Sequence, residues 1–348
     1  MYTVKLRPIY YQILVVSGIE NSNINLIFAA MTRIFLGNQI YVLLLLPFLI
    51  GGYVALNEFT GFFEILPEIN LGLWGSYFIE NHFWINYLSL GLILLNAILA
   101  NFLFNSNEFY ERNSYIIALL YILFMSYFHA FYQIDGVLIS HTLLIFCLFL
   151  FFRLQNNSDG RKIAFNGSFL LGIAATFNPT FLVFFPVVWF MITRIRPFVF
   201  REIILASIGF LLPVGYALGF IFYFFNDLHW NWYKLSEKIL QKTSIIGSAS
   251  TILIFIGLLS LLTLNYKTSK SSLRFKKLLA ILKLVLFVGV IVGMYQYFHD
   301  RNFEWVSVAI IPLCFFYPFA FFNKSSLLLA KILFYTLFIF SLAKFFIK

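Results

Sequence analysis

The chain has 348 residues, of which 61% are hydrophobic, 21% aromatic and only 11% charged, with a formal net charge of +10. A soluble domain is roughly a quarter charged, so there are too few polar side chains here to cover a water-facing surface, and lipid has to be part of the solvent. The basic excess follows membrane topology rather than a nucleic-acid footprint, and Cys147 and Cys314, far apart in separate apolar runs, form neither a CxxC pair nor a disulfide framework.

In chain order, residues 1–36 fit no span and lack the apolar core of a usual signal peptide. Met31-Thr32-Arg33-Ile34-Phe35 reads as an alternative translation start; otherwise residues 24–36 are expected to lie as a short interfacial helix on the inner leaflet. A spanning helix needs about 20 mostly apolar residues. Such runs fall near 37–56, 84–104, 115–134, 137–153, 163–177, 180–195, 202–225, 245–265, 279–298, 304–322 and 326–345. The expected fold is an all-α integral membrane bundle of about eleven helices in one transmembrane domain, 37–345. Pro179 lacks a backbone donor and biases Asn178 away from helix, which separates the fifth run from the sixth. One kinked helix over 163–195 would leave ten.

The loops orient this bundle. With the N-terminus in the cytoplasm, 18 of the 24 basic residues fall inside, among them Arg153, Arg161 and Lys162, then Arg194, Arg196 and Arg201, then Lys267 to Lys277 in the basic loop 266–278. The positive-inside rule asks for that bias, and it predicts N-in, C-out. The first outer loop, 57–83, interleaves Glu58, Glu64, Glu68 and Glu80 with Phe, Leu and Trp and is expected to lie along the membrane surface. The second, 226–244, carries Trp230 and Trp232 at headgroup level. Small residues spaced for close helix approach, Gly215 with Gly219 and Gly289 with Gly293, predict a tightly packed bundle.

Candidate chemistry gathers on the outer side. In HAFYQIDGVLISH, 129–141, a turn centred on Asp135 sets His129 and His141 six residues away on either side, about 9 Å along two neighbouring helices. Two imidazoles and a carboxylate are reasonable zinc or iron ligands. The same pattern is met by a turn at Asp135-Gly136 with each histidine hydrogen-bonded inside the bundle. Glu58, Glu64 and Glu68 could supply a general base, or hold a divalent metal against a phosphate leaving group, or simply keep an outer loop solvated. P-loop, dinucleotide, HExxH and GxSxG motifs are absent from the sequence, which excludes the chemistries those motifs serve.

GSFLLGIAATFNPTFLVFFPVVWFMIT, 167–193, resembles a segment of the GT-C superfamily of glycosyltransferases that use lipid-linked sugars. The resemblance implies a transferase of the cytoplasmic (inner) membrane acting at the outer face on a polyprenyl-phosphate-linked sugar. Glu58 then stands nearest the family's catalytic acid; the outer-face residues add Asp135 as a catalytic helper, with His129, His141, Glu64 and Trp230 as candidates to bind lipid or substrate. Glu58, Glu64 and Glu68 stand singly where that family usually has an acidic pair. The MTRIF start and the 163–193 segment also resemble an uncharacterised bacterial membrane-protein family of unknown function. The alternative to a transferase is a non-catalytic membrane protein, either a lipid or solute carrier or a subunit of an envelope complex.

Overall fold

The structure, a computed structural model, describes residues 35–37, 39–63, 71–77, 83–154, 159–225, parts of 255–268, 271–300, 304–322 and 327–346. All regular structure among them is helical. In chain order the α-helices are α1 Leu46–Thr60, α2 Phe83–Ser106, α3 Ile116–Met125, α4 Gly136–Leu154, α5 Arg161–Phe177, α6 Phe184–Ile195, α7 Phe200–Phe225, α8 Leu273–Asp300, α9 Ile310–Phe316, α10 Pro318–Phe322 and α11 Leu327–Ala343. Short 3-10 helices lead into α1 (Ile40–Leu45), α6 (Pro179–Val183) and α9 (Glu304–Ala309), and two more, Gly72–Tyr77 and His129–Phe131, sit in connections.

Among the described residues, five helical stretches are long and apolar enough to cross a membrane: Ile40–Thr60, Tyr87–Ser106, Gly136–Leu154, Phe200–Phe224 and Leu273–Phe298. Four apolar stretches are shorter, at Ile116–Met125, Pro179–Ile195, Val306–Phe322 and Leu327–Ala343. Large apolar side chains cover the outside of the bundle, up to 88% exposed at Phe59 and 79% at Phe48. Such a surface is stable against lipid chains and not against water.

α3 departs most from the sequence expectation. The run 115–134 is helical only to Met125, so α3 has ten residues and rises about 15 Å, half the hydrocarbon thickness. All ten are buried, as expected of a helix apolar on every side. It is the axial core helix, and α1, α2 and α9 pack around it.

Two of the expected glycine contacts exist and two do not. A Cβ on Gly289 would lie 2.7 Å from the Ala309 nitrogen, and one on Gly293 2.4 Å from Val306 Cγ2, so these glycines let α8 close on the 304–309 turn. Gly215 and Gly219 face open space instead. The close approach of α7 to α5 is made by Gly172, whose Cβ would sit 2.3 Å from the Phe210 carbonyl oxygen, and by Gly209, 2.6 Å from that of Phe165. α5 and α6 are separate helices: the Asn178 side chain accepts hydrogen bonds from the Thr180 N–H (3.1 Å) and hydroxyl (2.9 Å), capping the break at Pro179.

Part of the first connecting loop folds back on the bundle. Leu71 and Leu73 are buried, and Trp74 Nε1 donates to Thr176 Oγ1 at 3.1 Å. Gly72 has a left-handed φ of +66°, and its Cβ would lie 2.4 Å from the Phe177 carbonyl oxygen. The surface-lying arrangement expected from the sequence therefore does not hold for residues 71–74; residues 64–70 and 78–82 lie outside the described set. At Gly136, a Cβ would meet that same Phe177 oxygen at 2.1 Å. Gly136→Ala is therefore expected to lower stability by about 2 kcal/mol through overpacking, and Gly215→Ala to raise or leave it unchanged. Thermal unfolding of the two variants in one detergent checks the contrast.

Candidate functional site

The residues that could carry chemistry cluster where the chain ends of α1, α3 and α11 meet the start of α4. α1 stops at Gly61, whose φ of +62° is left-handed and whose N–H donates to the Asn57 carbonyl at 2.7 Å. The buried Asn57 amide then holds Phe63 by both backbone groups, donating to its carbonyl at 3.1 Å and accepting from its N–H at 2.8 Å. That clamp sets Phe63 on Tyr132, stacked at 4.7 Å, and edge-on to His129 at 6.1 Å.

Lys344, on the turn that follows α11, is the centre of the cluster and only 1% exposed. Its Nζ donates to the Ser126 carbonyl and, at 3.1 Å, to Tyr132 Oη. The Tyr132 hydroxyl in turn donates to the same Ser126 carbonyl at 2.9 Å. Five rings face the ammonium, with centroids at 4.8 Å (Phe345), 4.9 Å (Tyr127), 5.4 Å (Phe63), 5.5 Å (Tyr132) and 5.7 Å (Tyr53). Each lies inside the distance at which a ring quadrupole attracts a cation. The cage is braced from outside, since Tyr127 Oη donates to the Leu337 carbonyl and Tyr53 Oη pairs with Ser341 Oγ, both at 2.5 Å. The arrangement surrounds the Lys344 amine with ring faces and two oxygens, and it ties α11 to α1 and to the α3–α4 connection.

The residues singled out from sequence are distributed differently. His129 is buried beside the cage, on the 3-10 turn rather than on α3, so it does not stand one helix across from His141. His141 lies inside α4, its Nδ1 3.0 Å from Tyr121 Oη. Its Nε2 points towards the Ser307 backbone without the geometry of a hydrogen bond. Asn96 links this pair to the helix, donating to Tyr121 Oη at 3.2 Å and to the Leu138 carbonyl at 3.0 Å, and accepting from Thr142 Oγ1 at 2.7 Å. Asp135 caps α4: its carboxylate accepts the Val137 N–H at 3.1 Å. Glu58 is exposed on α1 and accepts from Tyr87 Oη at 3.4 Å. Glu64 and Trp230 lie outside the described residues. Among the described residues no three of His, Cys, Asp and Glu come together as a metal-binding group. His129, His141 and Asp135 therefore do not meet as the ligand set that their spacing allowed.

Nothing in the local sequence marks Lys344. In SLAKFF, a lone lysine near the end of an apolar run reads as a side chain reaching for the interface. Only Tyr53, Phe63, Tyr127 and Tyr132, brought from distant parts of the chain by the fold, enclose it.

An apolar, all-helical bundle sheathed in exposed hydrophobic side chains is a membrane-protein architecture. The model of a family described as a family of unknown function (DUF6427) matches residues 57–272, more than half of the chain, and the chain belongs to that family. The matched stretch contains Phe63, Tyr127 and Tyr132 of the cage and stops short of Lys344. Neither the curated proteins nor the solved structures contain a match.

Two outcomes follow. Burial pushes the Asp135 carboxyl from 3.8 up to about 7, against the lowering effect of the Val137 and Gly136 N–H groups. The folded chain then keeps a proton that the unfolded chain releases, so this residue favours folding below about pH 4 and loses that contribution as pH rises through 7. Asp135→Asn keeps the cap and should flatten this part of the stability profile, measured by thermal unfolding between pH 4 and 8. Lys344→Ala empties the cage and should cost about 2–4 kcal/mol. Lys344→Met fills the same volume and should cost under about 1.5 kcal/mol. The same melts distinguish them.

Proposed function

We propose that the chain is a multi-pass protein of the cytoplasmic membrane that works without catalysis, as a folded membrane subunit or lipid carrier. The observation that carries this reading is the employment of its buried polar groups. Asp135 caps a helix, His141 joins Tyr121 and Asn96 in a helix-bridging network, and Lys344 closes the bundle. Each has a structural task in place of a free reactive face.

A single transmembrane domain, oriented N-in and C-out, fits the separation of charge along the bundle. Gly160 packs against Arg196 and Glu202, Lys277 Nζ donates to the Ile195 carbonyl, and Lys267 sits over the Tyr110 ring. These contacts collect the starts of α5, α7 and α8 into one basic end, opposite the Lys344 cage. That sorting supports a cytoplasmic basic end.

One observation favours a second reading, the GT-C-like transferase. Glu58 is exposed at the cage end and accepts from Tyr87 Oη at 3.4 Å, where an acceptor hydroxyl could reach it. In that reading Glu58 is the base or a ligand of a divalent metal, and the substrate is a polyprenyl-phosphate-linked sugar. Native mass spectrometry of the detergent-purified chain separates the two. Phospholipid adducts without polyprenyl phosphate are expected. A retained polyprenyl-phosphate species, together with sugar transfer abolished by Glu58→Gln, would overturn the non-catalytic reading.

A further inference from the structure

The connection between α6 and α7 reads RIRPFVFR, 194–201, and combines features that rarely coexist in a loop facing water. Phe198, Val199 and Phe200 are 68%, 37% and 65% exposed. Arg194 and Arg201 are exposed on either side of them. Pro197 stops α6 from continuing, and Arg196 is extended at the helix end.

The connection is nevertheless firmly held. Arg196 Nη1 pairs with Glu202 Oε1 at 3.3 Å, with Glu202 buried. The pair closes over Gly160, where a Cβ would lie 2.5 Å from both charged atoms. From the other side, Lys277 Nζ of α8 donates to the Ile195 carbonyl at 2.7 Å. The apolar tip is thus presented outward by a fixed base. Glu202 is taken up by Arg196, and Asp159 by Arg161 at 3.1 Å. Lys162, at the start of α5, is exposed at the same end.

We propose that this connection is a binding site for anionic phospholipid. The Phe198 and Phe200 rings enter the acyl boundary of the leaflet, and Arg194 and Arg201, with Lys162 behind them, take the headgroup phosphates. Charge complementarity selects the class of ligand: a planar guanidinium matches a phosphate by paired donors. Aromatic rings beside basic residues are the composition of an interfacial lipid contact. A zwitterionic headgroup offers the same phosphate without net charge, so the site prefers anionic lipid over zwitterionic. The inference rests on the membrane reading alone and is independent of whether the protein is catalytic. A chain that inserts normally but shows no headgroup preference would end this proposal and leave the membrane reading standing.

The test uses the full chain in phosphatidylcholine nanodiscs doped with phosphatidylglycerol, with retained lipids identified by native mass spectrometry. Wild type is expected to keep phosphatidylglycerol over phosphatidylcholine, with the preference falling as salt rises. Each arginine near an anionic surface contributes about a five-fold factor, so Arg194→Ala with Arg201→Ala should reduce the preference by about 25-fold. The corresponding lysine pair should retain most of it, and Phe198→Ser with Phe200→Ser should weaken retention of both lipids. A preference that survives the alanine pair, or that is insensitive to salt in the wild type, overturns the proposal. Displacement of the lipid by millimolar inorganic phosphate overturns it also, in favour of a soluble anion. The salt titration needs no variant and so decides the matter even where the alanine pair fails to fold.

Discussion

The Ser126 carbonyl is the point on which this fold turns. α3 ends at Met125, inside the bundle and far short of the length that would carry it across a bilayer. The chain that follows leaves backbone groups open where there is no water to meet them, which a membrane interior does not tolerate. Ser126 is met twice, by the Lys344 ammonium and by the Tyr132 hydroxyl. Those two donors come from segments more than 200 residues apart in sequence. The turn after α11 thus satisfies an opening made in the first half of the chain, and five ring faces enclose the amine that does it.

The same logic governs the polar groups deeper in the helices. Asn96, Tyr121, His141 and Thr142 join α2, α3 and α4 through a chain of hydrogen bonds. Between apolar helices such bonds select one register, because sliding a helix by one turn would strand each partner. Ser140 Oγ, donating to the Ala174 carbonyl at 3.0 Å, extends the arrangement to α5. Asp135 belongs to this group: as a helix cap it fixes where α4 begins, and so where His141 stands within it.

Composition and the long apolar runs made the all-helical membrane class legible, because both are properties of long stretches, while the family resemblance rested on the 163–193 segment and the MTRIF start. The break at Asn178-Pro179 was legible for a local reason, the missing donor and the capping amide. The early end of α3 was not: residues 126–134, SYFHAFYQI, are more polar than the helix before them, but their Phe, Ala and Ile let the whole run pass as one span, and hydropathy reads run length rather than backbone path. His129 and His141 were placed face to face on the premise of two full helices, so that error propagated into the proposed ligand set. For glycines, spacing identified Gly289 and Gly293 but also Gly215 and Gly219, which meet nothing. Spacing says that a face is smooth; whether another helix lies on it depends on tertiary structure. Lys344 illustrates the same limit, since each of its ring partners looks like ordinary core aromatic residue until the segments converge.

The glycine contacts between α5 and α7 bear on motion. Where Gly172 meets Phe210 and Gly209 meets Phe165, backbone lies on backbone with no layer of side chains between. A sliding or rocking seam needs such a layer, whose rotamers can exchange as the two surfaces move. α5 and α7 lack it at these crossings. Sliding α5 past α7 would drive a glycine Cα into a facing carbonyl, so these crossings resist shear, and Ser140 ties α4 to the same pair.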